Sequence, residues 1–326
     1  LTNNQKNSNL LLTIPAKPMP KGTLKSVGFL FMKYTKPALT ISDQIKLLES
    51  RGLIISDKIK AEKYLANISY YRLSAYMYPF KDLQTDNFAK ETTFENVLDL
   101  YLFDRELRLL VFDAIERIEI SFRTQLIYQP AIIGGAFWFE DEKFFDDKNR
   151  LTEHLQKLDS EVKQSKEVFI KHFDAKYDED CPPVWMSFEV ISLGLLSKFY
   201  QNLKFTDAKK LIAKHYGLNN PIVLQSWIRS ITYVRNVCAH HARLWNRTLT
   251  NKPIILQTPS KLWITEKNPN NEKLYYFLCC LWYLLRQINP ETQFVEKLKT
   301  LFAKYPNVSI SSMGFPKNWE EENFWN

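Results

Sequence analysis

The chain has 326 residues, 45% of them hydrophobic and 14% aromatic, and a formal net charge of +8. That length can bury a large core, and that hydrophobic content excludes a disordered chain. With only 8 glycines and neither a G-x-x-x-x-G-K-[ST] nor a G-x-G-x-x-G motif, an all-β or glycine-loop nucleotide-binding architecture is disfavoured, while the positive balance admits nucleic acid or an anionic membrane as partner.

Residues 1–35 are Asn-rich, then Pro/Lys-rich, with no amphipathic period. They are expected to be a leader without a fold of its own, with Met32 as the natural start. Residues 36–92 form an expected N-terminal helical region. Thr40 can cap a helix running to Arg51, with Gly52 just past its end, and Ser56 opens a second helix to about Ala66. Ile68–Phe80, I-S-Y-Y-R-L-S-A-Y-M-Y-P-F, carries four tyrosines around Arg72. These can stack on RNA bases; the favoured expectation is an aromatic core with hydroxyls at its rim.

Residues 93–304 form the expected main helical domain. Thr93 caps its longest helical pattern, Phe94 to about Tyr128, with an apolar face through Val97, Leu100, Leu107, Val111, Ile118 and Phe122. Glu119 and Arg123 lie at i,i+4, either as a surface ion pair or with Glu116 or Glu119 orienting a downstream arginine. A loop is expected over Gln129–Phe139, and a charged, solvated helical insertion over about 137–182 with helices near 148–164 and 166–177. Helices then follow over Val184–Leu203, from Thr206 to Gly217, and from the Asn220-Pro221 cap onward. A basic loop, 248–271, precedes an apolar helix over 272–289; a last amphipathic helix, 291–304, leads into a tail, 305–326. No strand alternation is convincing, so the expected fold class is all-α. Cys181, Cys238, Cys279 and Cys280 with no secretory signal suggest free thiols in a cytoplasmic protein. The apolar run Leu274–Leu285 is shorter than the ~20 residues that span a bilayer, so no membrane association is expected.

The densest chemistry lies in Arg229–Arg247, R-S-I-T-Y-V-R-N-V-C-A-H-H-A-R-L-W-N-R. Wound as one helix from Pro221 to residue 246, it puts Leu224, Trp227, Ile231, Val234, Cys238, Ala242 and Trp245 on an apolar stripe. Arg229, Tyr233, Asn236, His240, Arg243 and Arg247 fall on the opposite face, with Arg235 between. His241, at the stripe's margin, is expected to be a core histidine. His240 faces the arginines, where a neutral imidazole can act as a general base. From Ala208 to Thr265 there are nine basic residues and no acid. That window carries +9 against +8 for the chain, which suggests either a basic face without a ligand or a groove for a polyanion.

Several ordered blocks now coincide. Lys36–Thr40, Gln44–Leu53, Ile68–Tyr76, Leu100–Arg108 (L-Y-L-F-D-R-E-L-R), Glu116–Arg123 and Arg235–Arg247 together resemble the Abi-like abortive-infection family of the AbiD/AbiF type, over roughly residues 36–289. That family is similar to HEPN-domain proteins, helical bundles whose active members carry R-x(4–6)-H. Arg235 and His240 enclose four residues, and Asn236 supplies the polar residue usual after the arginine.

The resemblance implies a HEPN-type bundle acting as an RNA-cleaving toxin of prokaryotic antiviral defence. It also implies sites completed by two chains, hence a homodimer, and in some members a small regulatory RNA. The chemistry is coherent without metal or other cofactor: His240 takes the 2′-OH proton and Arg235 holds the scissile phosphate, leaving a 2′,3′-cyclic phosphate. Asn236, Arg243, Arg247, Arg229 and His241 are the expected supporting or RNA-binding set. In a straight helix Arg235 and His240 lie about 140° apart, so a bend at the motif or a second chain would alter the site. The rival readings are an RNA-binding module without catalysis, a zinc protein using Cys238 with His240 or His241, and a membrane protease.

Overall fold

The computed structural model describes residues 34–82 and 84–326. The expectations for residues 1–33, Met32 included, fall outside them. The described chain is mostly helical with no strand among the described residues. None of its helices is long and apolar enough to cross a membrane.

Three short helices come first: α1 (Ile41–Ser50), α2 (Lys58–Ile68) and α3 (Tyr70–Met77). Ser69 joins α2 to α3 at φ +72°, and its side chain accepts the Arg72 N–H. The helix that organises the rest is α4 (Phe94–Gly134). Thr93 and Asn96 cap it reciprocally, satisfying orphan N-terminal donors. At 1.5 Å per residue its 41 residues span about 60 Å. Val97, Phe103, Leu107, Val111, Ile118, Phe122 and Leu126 are all buried along it.

Helix α4 runs past the loop expected at Gln129. Pro130 removes one backbone hydrogen bond, but its ring is buried, and that packing holds the last turn together. The helix stops at Gly134, where a Cβ would lie 2.5 Å from the Phe144 ring; Gly135 follows at φ +78°.

The next elements are α5 (Lys148–Gln164), α6 (Val168–Asp174), α7 (Val184–Val190) and α8 (Leu193–Asn202). The expected solvated insertion is only half so. Helix α5 turns its charges outward but buries Leu151, His154, Leu158 and Val162 while packing on α7 and α8.

The single helix expected over 184–203 is two. Ser192 breaks it: its N–H and hydroxyl bond to Glu161 at 2.6 and 3.1 Å, and it caps α8. The buried Arg123 donates Nη1 to the carbonyls of Phe188, Glu189 and Ile191, closing α7 from below. Glu119 holds that arginine at 2.7 Å. The Glu119–Arg123 pair is therefore a buried helix-capping device, not a surface pair.

Helices α9 (Asp207–His215), α10 (Pro221–Ala239), α11 (Leu274–Ile288) and α12 (Phe294–Lys304) complete the set. Helix α4 touches α3, α7, α8, α9, α10, α11 and α12, so the core is a bundle wrapped on one axis. Helix α11 is buried throughout Leu274–Leu285, Cys279 and Cys280 included. The tail returns over it: the Trp282 indole donates to the Phe324 carbonyl at 2.8 Å, and Trp319 and Trp325 are buried. Residues 41–326 make one unit.

Candidate active site

The body of α10 matches its periodicity. Leu224, Trp227, Ile231, Val234 and Cys238 are buried, while Arg229 and Asn236 are exposed. The helix expected to reach residue 246 ends instead at Ala239. His240 is the C-cap and His241 takes φ +54°, a left-handed conformation. The His241 N–H returns to the Cys238 carbonyl and the Ala242 N–H to the Val237 carbonyl, both at 3.0 Å. This is a Schellman stop, built with histidine where glycine is usual. A left-handed non-glycine residue costs about 1–2 kcal/mol, so the surroundings must hold it.

They do so through one buried carboxylate. Asp104 of α4 is fully buried, and its Oδ1 accepts the backbone N–H groups of Leu244 at 3.0 Å and Trp245 at 2.5 Å. Its Oδ2 accepts the Tyr76 hydroxyl at 2.7 Å and the Arg108 guanidinium. Burial pushes the Asp104 carboxyl up; Arg108, Tyr76 and the two backbone donors pull against it. Four donors on two oxygens favour the anion, because a protonated oxygen would point its hydrogen at a donor. Burial, the largest single influence, lowers the Arg108 guanidinium, but Asp104 and Tyr76 together more than offset it and hold it above its ordinary value. Burial, then Asp104, raises the Tyr76 hydroxyl.

Further bonds fix the same loop. Arg72 donates Nη1 to the His241 carbonyl at 2.7 Å, and Arg243 donates Nη1 to the Ala75 carbonyl at 2.5 Å. These two bonds clamp α3 to the loop in both directions. Arg247 bonds the Arg243 carbonyl and the Tyr233 hydroxyl, and the Trp245 indole reaches the Ser309 carbonyl.

The expected site residues therefore separate. His240 and His241 are both exposed, so His241 is not a core histidine; it is the left-handed residue that ends the helix. Arg243 and Arg247 leave the helix face and brace the loop. Arg229 bonds Asn251 at 3.2 Å, about 16 Å up the helix from His240. Arg235 is half-buried, its guanidinium 5.9 Å from the Phe112 ring centre and its Nε buried with no hydrogen-bond partner. No hydrogen bond joins Arg235 to His240 among the described residues.

The basic window is also less of a single face than its charge suggests. Lys209 is buried, donating to the Gln201 and Leu203 carbonyls at the end of α8. Lys210 pairs with Asp207 and Lys252 with Glu272, acids lying just outside the window. Cys238 is buried beside Arg108, its thiol pushed up to about 12 by burial. Among the described residues no three His, Cys, Asp or Glu side chains gather as metal ligands.

Residues 63–246, more than half of the chain, match the family of Abi-like proteins. The chain belongs to that family. No curated protein and no solved structure matches it. The matched segment of this Abi-like protein starts just ahead of α3 and ends at Asn246, so it encloses Arg72, Tyr76, Asp104, Arg108 and the whole 240–246 loop. Three of the sequence blocks that carry the resemblance thus converge on one carboxylate. Sequence reasoning missed Asp104 and Arg108 as site residues. A signal was present: both fall on the apolar arc of α4, between Leu100 and Val111, as opposite charges at i,i+4.

Proposed function

We propose that this Abi-like protein is an RNA-cleaving effector of abortive-infection defence, built on a HEPN-type bundle and acting without a metal. The observation that carries the reading is the end of α10: an exposed His240 imidazole on backbone clamped at the next residue and again at Leu244 and Trp245. A positioned base needs such fixed backbone with a side chain open to substrate. In the proposed reaction, His240 takes the proton of an RNA 2′-OH. The 2′-oxygen attacks phosphorus in line, the bond to the 5′-oxygen breaks, and the leaving oxygen takes a proton from water. The products are a 2′,3′-cyclic phosphate and a 5′-OH. Arg235, whose buried Nε lacks an acceptor, supplies the fork for the scissile phosphate.

No hydrogen bond joins Arg235 to His240 among the described residues, and we assign the complete site to two copies. Phe112, beside Arg235, is exposed on α4, as are Leu109 and Ile120, and they give such a pair apolar surface. The test is gel-resolved cleavage of total RNA in chelator, with light scattering for the dimer. His240→Ala removes a general base, so cleavage falls by about 10²–10⁴-fold while RNA binding stays. Arg235→Ala weakens both. Cleavage by His240→Ala at the wild-type rate removes the assigned base. A wild type that binds RNA and never cuts it replaces this reading with a catalytically silent RNA-binding module.

A further inference from the structure

Helix α3 has a face that neither the core nor the loop uses. Leu73, Tyr76 and Met77 point inward, and Arg72 with the Ala75 carbonyl holds the 240–247 loop. On the opposite side Tyr71 is 82% exposed, and Tyr78, the C-cap residue that continues the turn of α3 at φ −52° and ψ −41°, is 53% exposed. Seven residues apart, they lie within about 20° of each other around the helix and about 10 Å apart along it. A lone exposed aromatic is ordinary on a protein surface. This is a pair on one line, on an element hydrogen-bonded at two points to the loop that carries His240. The segment from Lys63 to Lys81 holds three basic residues and no acid; Lys81 pairs with Asp86 at 2.8 Å, which leaves Lys63 and Arg72 to give the face a modest positive charge that suits a polyanion.

We propose that Tyr71 and Tyr78 form a base-stacking subsite for single-stranded RNA, which rests on the RNA reading above. Every base offers a π face to a tyrosine ring, so the subsite holds the strand without reading its sequence. Arg72 and Arg243 spend Nη1 on backbone carbonyls, fixing the distance from the tyrosines to His240. The tyrosines position substrate and touch no reacting atom. The expectation of an aromatic core is therefore met by Tyr76 and reversed for Tyr71 and Tyr78.

The test uses a labelled 2′-O-methyl oligoadenylate, which keeps bases and phosphates but has no nucleophile, so binding is read apart from cleavage. Tyr71→Ala is expected to weaken binding about 5- to 150-fold, the range for losing one stacked base. Tyr71→Phe keeps the ring and stays within about twofold of wild type. An abasic strand of the same length binds wild type and Tyr71→Ala equally, since there is no base to stack. In cleavage of natural RNA, Tyr71→Ala raises KM and leaves kcat. If wild type binds the oligoadenylate and Tyr71→Ala binds it equally well, the subsite is wrong and the RNA reading stands. A changed mass by light scattering in that same variant, with RNA binding intact, makes the face a protein contact and overturns the subsite. If wild type binds neither strand and cuts no RNA, the RNA reading falls and the subsite falls with it.

Discussion

Residues 221–239 and residues 240–247 are consecutive and share one apolar rhythm, yet only the first stretch is a helix. Leu224, Trp227, Ile231, Val234 and Cys238 set the stripe; Ala242 and Trp245 continue it in register. What differs is where the backbone N–H groups go. Along α10 they find carbonyls four residues back. Beyond it, the Leu244 and Trp245 N–H groups go to Asp104, 140 residues earlier in the chain. A buried carboxylate must collect donors, and losing them costs more than one extra turn of helix returns. Periodicity alone describes the first region and fails in the second.

The largest expected effect breaks the second region at its anchor. Asp104→Leu leaves Arg108 buried without its counter-charge and two backbone donors without an acceptor. Breaking such a pair costs about 3–5 kcal/mol. Ile231→Ala, in the body of α10, costs about 2–5 kcal/mol by opening a cavity, so denaturant melts alone do not separate the two. Amide exchange does. In Asp104→Leu the Leu244 and Trp245 amides exchange far faster relative to the α10 body, whereas in Ile231→Ala both regions keep their relative protection. Equal protection in the two variants would show that Asp104 does not hold the loop.

A smaller effect probes the junction. His241 sits at φ +54°. His241→Val puts a β-branched side chain there and costs about 1–2 kcal/mol, while His241→Gly fits the same backbone without steric cost. A core histidine would give the reverse pattern, with glycine the more damaging change because it empties a cavity. Thermal melts of the two variants decide it.

How much of this was legible follows from which signals are local. Thr93, Asn220 and Gly217 mark helix ends by their own chemistry, and the structure uses all three; Thr206 stands at the start of α9, but its hydroxyl makes no capping bond. The buried stripe of α10 and the apolar run of α11 were equally readable. Three boundaries were not. Pro130 stays inside α4 because its ring is buried; Ser192 breaks a helix because Glu161 waits across the bundle; and α10 stops because of Asp104. Each depends on a partner distant in sequence. The Arg235-x4-His240 spacing was visible at once, but the side chains' directions were not, because a left-handed histidine carries no sequence mark as plain as glycine.

The smallest prediction concerns the histidine that does occupy the core. His154 on α5 is buried, its ring 5.4 Å from that of Phe199, and its Nδ1 has no hydrogen-bond partner. Burial first, then Lys198, holds its imidazole below the ordinary value of 6.5. The sign follows. Above about pH 6.5 His154 is neutral folded and unfolded, so it adds no pH dependence. As pH falls below that value the unfolded chain takes up a proton that the folded chain refuses, and stability is lost until the folded value is passed. The loss reaches at most ~1.4 kcal/mol per pH unit for one proton. His154→Leu removes the group while keeping a buried apolar side chain, so its stability from urea melts should fall less steeply from pH 6.5 to 5.5 than that of wild type. If His154→Leu loses stability as steeply as wild type over that range, the buried imidazole is not the group that refuses the proton.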